Sequence, residues 1–174
     1  GKCGIKEDLS VVLWRFKNQM AFLGEITIKL DDKGRMRIPT ALKEAMSDKA
    51  AHRFVVNRGF ENCLTLYPYD VWEAVKAKVD KLNTFNREKR EFVRKFYSGA
   101  TICSLDSSDR INIPNQLLEF ATLKKDIILT PVKDYYELWD QKKHHEMISD
   151  ADSSSFEELA EKVMGEEDNP PIEP

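Results

Sequence analysis

Leu30-Asp31-Asp32-Lys33-Gly34-Arg35-Met36-Arg37-Ile38-Pro39 returns 75 positions later as Leu105-Asp106-Ser107-Ser108-Asp109-Arg110-Ile111-Asn112-Ile113-Pro114. Gly24 and Gly99, Leu42 and Leu117, and Glu44 and Glu119 fall in the same frame. The chain therefore carries one unit twice. In each copy an acid and an arginine four residues apart bracket a tight turn, between an alternating apolar strand and a short Met-x-Ile or Ile-x-Ile strand. Such a pattern reads as a β-hairpin with a charged tip. Glycine takes positive φ in the first turn at no steric cost. The second turn has Asp109 there, so it is expected to differ in shape.

Outward from the hairpins, Gly24 to Leu30 alternates apolar and polar residues as a half-buried strand does. Thr40 and Asn115 are candidate caps of short helices that carry Leu42 and Leu117. Further on the frame shortens to 72, which lays Val55-Val56 over Ile127-Ile128 and Leu66-Tyr67 over Leu138-Trp139. Each half then reads strand, turn, strand, helix, strand, turn, strand, an α+β arrangement. Pro68 suits the first position of a helix with Val71, Trp72, Val75, Val79 and Leu82 on one face. Asn86 is placed to cap a second helix, in which Glu91 and Lys95 form an i,i+4 pair. A further helix is expected around 139–148, and Phe156, Leu159 and Val163 give a weak stripe beyond it.

Four segments follow: an N-terminal extension over 1–19, with Met20 a candidate native start; a first repeat with its helical hairpin over 20–97; a second repeat with a C-terminal helix over 98–148; and an acidic, partly disordered tail over 149–174, the last ten residues being disordered. A half of about 60 residues alone buries a marginal fraction of its surface. The halves are expected to pack as one pseudo-symmetric unit, or to gain stability from other chains.

The formal net charge of −3 is the sum of two opposed parts. From Glu146 onward ten acids face the single Lys162, which leaves 26 basic and 20 acidic residues, a charge of +6, in residues 1–145. A basic body suits a polyanion, and an acidic tail either competes with that polyanion or aids solubility. Cys3, Cys63 and Cys103 lack C-x-x-C spacing and are odd in number, which argues against disulfides or zinc; Cys63 and Cys103, in strand-like runs, read as small core residues in a reducing compartment. No apolar run spans a membrane and no export signal is evident.

Catalytic signatures are absent from the sequence: there is no phosphate loop, nucleophile elbow or H-E-x-x-H. Neither metal nor cofactor is expected. His144 and His145 point about 100° apart on a helix and read as surface residues. Tyr67, Trp72 and Trp139 have core-like spacing. The Asp-x-x-x-Arg turns are the remaining candidates. Asp31 and Asp106 either hold the turn as Asx motifs or belong to a binding surface. Arg35 and Arg110 point to function, because a surface ion pair contributes about 0–1 kcal/mol whereas a guanidinium on a rigid strand end grips phosphate or guanine. Lys33 and Arg37 flank Arg35, so the first turn is the more basic.

The Phe-x-Gly at 22–24, Leu-Asp-x-Lys-Gly-Arg at 30–35, Leu-Tyr-Pro at 66–68 and Glu-Leu-Trp-Asp at 137–140 resemble the bacterial MraZ family, over about Met20 to Ile148. Those chains hold two tandem AbrB-like domains. The resemblance implies swapped-hairpin, β-barrel-like units forming a pseudo-dimer with appended helices, and a closed ring of chains, an octamer or dodecamer. It further implies a cytoplasmic, nucleoid-associated regulator that binds double-stranded DNA at short direct repeats in the promoter of the division and cell-wall gene cluster. Family DNA contacts carried over here are Asp31, Lys33, Arg35, Asp106 and Arg110. Two other readings stay open: a ring-forming protein acting through protein partners, and an antitoxin-like regulator.

Overall fold

The structure, a computed structural model, describes residues 24–149 and 153–166. The expected extension and start at Met20 lie outside those residues. Among the described residues, eight strands and six α-helices follow the expected order. The first half holds β1 (Ile26–Lys29), β2 (Arg35–Arg37), α1 (Thr40–Ala45), β3 (Arg53–Arg58) and β4 (Leu64–Pro68). Two helices, α2 (Tyr69–Asp80) and α3 (Arg87–Tyr97), lead to β5 (Thr101–Ser104), β6 (Arg110–Asn112), α4 (Asn115–Phe120), β7 (Asp126–Val132) and β8 (Tyr135–Asp140). After these come α5 (Gln141–Ser149) and α6 (Ser153–Glu166). Residues from Lys142 onward form a separate compact unit.

Every strand pairing is antiparallel, and the first strand of each half pairs inside the other half. β1 lies on β7 with Ile26 opposite Leu129, and β5 lies on β3 with Thr101 opposite Val56. The large sheet runs β1-β7-β8-β4-β3-β5, and β2 pairs β6 in a small ribbon of its own. Exchanging the halves maps that order onto its own reverse, so a pseudo-two-fold passes between β8 and β4. The 75-residue frame is thus the imprint of a rotation.

Burial obeys the same symmetry. Met36 and Ile111 are both fully buried, Ile38 and Ile113 are 2% and 1% exposed, and all four join one core fed by both halves. Leu42 and Leu117 join it from α1 and α4, and Cys103 takes the place of Ile28. Full burial of such a side chain contributes about 1.5–3 kcal/mol, so neither half keeps its core without the other. Cys63 and Cys103 are buried, as the sequence suggests.

Gly34 is required by its turn. Its φ is +74°, and a Cβ there would stand 2.8 Å from Leu118 Cδ1 and 3.1 Å from the Ile113 carbonyl oxygen.

The helical hairpin packs through aromatic rings. Trp72 stacks on Phe96 with centroids 5.1 Å apart, and Tyr67 on Tyr135 at 5.0 Å. Tyr67, Trp72 and Trp139 are core residues, as expected. The Asn86 side chain accepts from the Lys89 N–H at 3.0 Å, and Lys95 pairs with Glu91 at 2.8 Å, as their spacing predicts.

Four local expectations need correction. Thr40 and Asn115 are the first helical residues, not caps; Pro39 and Pro114, with ψ near 140°, hold the N-cap positions and no side chain caps either helix. Pro68 is likewise an N-cap, one residue before the place foreseen. His144 is 6% exposed and so is not a surface residue, whereas His145 is exposed as expected. α6 continues through Glu166, so the disorder expected of the last ten residues does not hold at Gly165 and Glu166; residues 167–174 lie outside the described set.

Candidate nucleic-acid interface

The β2–β6 ribbon carries the charged turns at its two ends. Arg35 stands opposite Asn112, Met36 opposite Ile111, and Arg37 opposite Arg110. Because strand side chains alternate between faces, the buried Met36 and Ile111 force their neighbours outward. The ribbon therefore presents Arg35, Arg37, Arg110 and Asn112 on one face. Two more hydrogen bonds extend it: the Ile38 N–H donates to the Asp109 carbonyl at 2.9 Å, and the Ile113 N–H to that of Gly34 at 2.9 Å.

The two turns are built alike. In the first, Asp31 Oδ1 accepts the backbone N–H groups of Lys33 and Arg35, each at 2.9 Å, and Oδ2 accepts Arg35 Nε–H at 2.7 Å. In the second, Asp106 Oδ1 accepts those of Ser108 and Arg110 at 2.8 and 3.0 Å, and Oδ2 accepts Arg110 Nε–H at 3.0 Å. The expected difference in shape is overturned. Asp109 adopts φ +57°, the left-handed conformation of Gly34, and its carboxylate is held by Lys43 Nζ at 2.7 Å. A long-range ion pair thus supports a conformation that aspartate adopts less readily than glycine.

Both aspartates face into their own turns. The Arg35 backbone N–H, with its side chain, holds the Asp31 carboxyl below the ordinary value of 3.8. The Arg110 backbone N–H, with that of Ser108 and the Arg110 side chain, does the same for Asp106. Each arginine is held through Nε, which leaves the two Nη nitrogens as the edge that makes a two-point contact. Arg110 Nη1 also lies 3.9 Å from Asp31 Oδ2, so the turns share charge. The side chains of Arg35 and Arg110 are 31% and 32% exposed.

All six residues singled out in the sequence lie at this ribbon or its turns. Lys33 is exposed at the tip of the first turn, and Arg37 is exposed on the ribbon. Asn112 is the member that sequence reasoning passed over. Its signal was the two-residue period counted from Arg110, which gives Asn112 the outward face.

Elsewhere among the described residues, Glu61, Cys63 and Glu137 bring three ligand-type atoms within 4.8 Å of one another. Burial, then the two carboxylates, push the Cys63 thiol up to about 12, and Glu137 already accepts from the Trp139 indole at 2.9 Å. The thiol is held in its neutral form. No helix of the described residues is long and apolar enough to cross a membrane.

Comparison with known proteins gives the same duplication an independent footing. A family described as "MraZ protein, putative antitoxin-like" matches twice, over residues 21–95 and 96–166. The chain belongs to the MraZ family. Among its relatives, the "Transcriptional regulator MraZ" of Christiangramia forsetii is 35% identical over 147 residues, covering 84% of this chain and 94% of the relative. Proteins of the same name from Alkaliphilus metalliredigens and Desulforamulus reducens are each 37% identical, over 82% of this chain and 96% and 97% of their own lengths. Family membership thus spans both hairpins, both halves of the sheet and all of α6.

Proposed function

We propose that this protein is a transcriptional regulator that reads duplex DNA with the β2–β6 ribbon. The observation that carries this reading is the ribbon's outer face: three arginines and an asparagine on two paired strands, backed by the fully buried Met36 and Ile111. A major groove about 12 Å wide admits a two-stranded ribbon, arginine pairs with guanine O6 and N7, and asparagine with adenine N6 and N7. Residues two apart on a strand lie roughly 6.8 Å apart, or about two base-pair steps. The Arg35–Asn112 and Arg37–Arg110 pairs then span about three base pairs. Lys33 and the other exposed lysines supply phosphate contacts, and the aspartates orient the arginines.

So few contacts per chain bind weakly. We infer that the two halves form a swapped-hairpin pseudo-dimer and that several chains close into a ring, which presents ribbons at fixed spacing and raises their effective concentration on repeated sites. The exchange of β1 and β5 between halves supports the pseudo-dimer. The expected target is a set of short direct repeats upstream of a division and cell-wall gene cluster, read in the cytoplasm at the nucleoid.

The test is binding of the purified protein to its own promoter fragment across a salt series, with a scrambled-repeat control. Arg35→Ala is expected to cost about 1–3 kcal/mol and to relax sequence choice, whereas Lys33→Ala weakens all sequences alike and flattens the salt slope. Unchanged preference for the repeats in Arg35→Ala overturns the base-reading role.

A further inference from the structure

The body of the protein has an open apolar groove away from the ribbon residues. It is about 460 Å³ in volume, and Arg58, Phe60, Phe92, Lys95, Phe96 and Phe120 are among its walls. Phe60 is 91% exposed, Phe92 39% and Phe120 37%. The Arg58 guanidinium lies 5.1 Å from the centre of the Phe120 ring, which puts a cation beside the aromatic wall. One side is α3, which brings Lys95, paired with Glu91 at 2.8 Å, to the groove beside Arg58. The groove is aromatic inside and basic at its edge.

The chain also carries a helix of complementary character. On α6, Phe156, Leu159, Val163 and Met164 fall at i, i+3, i+7 and i+8, with Ala160 between them, along a single stripe. Those four apolar side chains are 53–67% exposed. Glu157, Glu158 and Glu161 oppose Lys162 alone on the rest of the helix. Stripe and groove are matched in polarity and opposite in charge. From Phe156 to Val163 the stripe is about 10 Å long, a length suited to helix-in-groove recognition.

We propose that the groove bounded by α3, α4 and the β3–β4 turn receives helix α6 of a second copy of this chain. This rests on the ring reading above and says which surfaces join. A chain that presents two different, mutually complementary surfaces associates head to tail, and such contacts give a ring when the rotation closes. The acidic tail is then the joint between neighbours and does not compete for the DNA-reading face.

The experiment uses the full chain carrying Leu159→p-benzoylphenylalanine, mixed in equal parts from unlabelled and nitrogen-15 preparations, irradiated, and mapped by mass spectrometry. Native mass spectrometry of the same sample records the number of chains per particle. Heavy–light cross-links from position 159 to α3, to Phe60 or to Phe120 are the expected result. A ring whose cross-links fall within one chain or on another face overturns the docking and leaves the ring reading standing. A monomer at every concentration overturns the ring reading and the docking with it. A charge test adds a second arm: Arg58→Glu with Lys95→Glu is expected to reduce assembly, and adding Glu157→Lys with Glu161→Lys to restore it. Failure of that rescue, with far-ultraviolet circular dichroism unchanged, also counts against the docking.

Discussion

Arg37 and Arg110 face each other directly across the ribbon, so Arg37→Thr should strengthen the fold while it weakens DNA binding. Like charges directly opposite on paired strands are destabilising. At a separation of about 7 Å and a water-like dielectric the repulsion is roughly 0.6 kcal/mol, and threonine on an exposed strand adds a few tenths. The gain is about 0.5–1 kcal/mol, which for a chain of this size raises Tm by about 1–4 °C. On DNA the same change removes one cation. Each cation lost from the DNA-facing surface takes up to about 0.9 from the slope of log affinity against log salt, wherever in the groove it sits. Between about 50 and 200 mM salt the parent's affinity should therefore fall up to about 3.5-fold further than the variant's. Thermal melting and a salt series of fluorescence-anisotropy titrations on the promoter fragment measure the two effects in one preparation. A loss of more than about 1 kcal/mol of stability together with an unchanged salt slope refutes the reasoning, since Arg37 would then tie the ribbon together.

Under the ribbon, Met36→Ala and Ile111→Ala each empty a fully buried site and should cost about 2–5 kcal/mol in urea unfolding. Asp109→Gly should relieve the strain of a left-handed aspartate but release Lys43 from its 2.7 Å partner; the net change in urea midpoint is expected to be small, whereas Gly34→Ala, which meets Leu118 and the Ile113 carbonyl, should be plainly destabilising. The Asp31 and Asp106 carboxyls are both held below 3.8 in the fold. Their contribution is complete above that ordinary value and is lost as pH falls through the lower folded values. Asp31→Asn with Asp106→Asn should flatten the acid limb of the stability–pH curve. Burial raises the Cys63 thiol to about 12 and Cys103 to about 11, so iodoacetamide at pH 8 should spare both until urea opens the fold, as peptide mass mapping would show.

What the sequence makes legible is whatever the duplication and local alternation encode. Met36 and Ile111, Ile38 and Ile113, and Leu42 and Leu117 each stand in the same frame and meet the same fate in the core. Partnership between strands was not readable. An alternating run such as Ile26–Lys29 declares a half-buried strand but not its neighbour, and its neighbour proves to be β7 in the other half. The same non-locality hid the second turn. Asp109 looked like a departure because the lysine that steadies it is 66 positions away. Asn112 gained its place from pairing with Arg35, and helical spacing alone did not decide that His144 is buried while His145 is exposed. The prolines at 39 and 114 took the cap positions because their extended ψ suits the residue before the first turn.

The crossed pairing of β1 and β7 also sets a schedule for the nascent chain. Leu129, the partner of Ile26, lies 103 positions further on. At a synthesis rate of about 5–20 residues per second, β1 is made roughly 5–20 seconds before its neighbour. During that interval its Ile-x-Ile edge is bare, and the β7 of another nascent chain on the same messenger offers an equivalent seat. Exchange of halves between neighbouring nascent chains is therefore the misassembly to which this crossed topology is open.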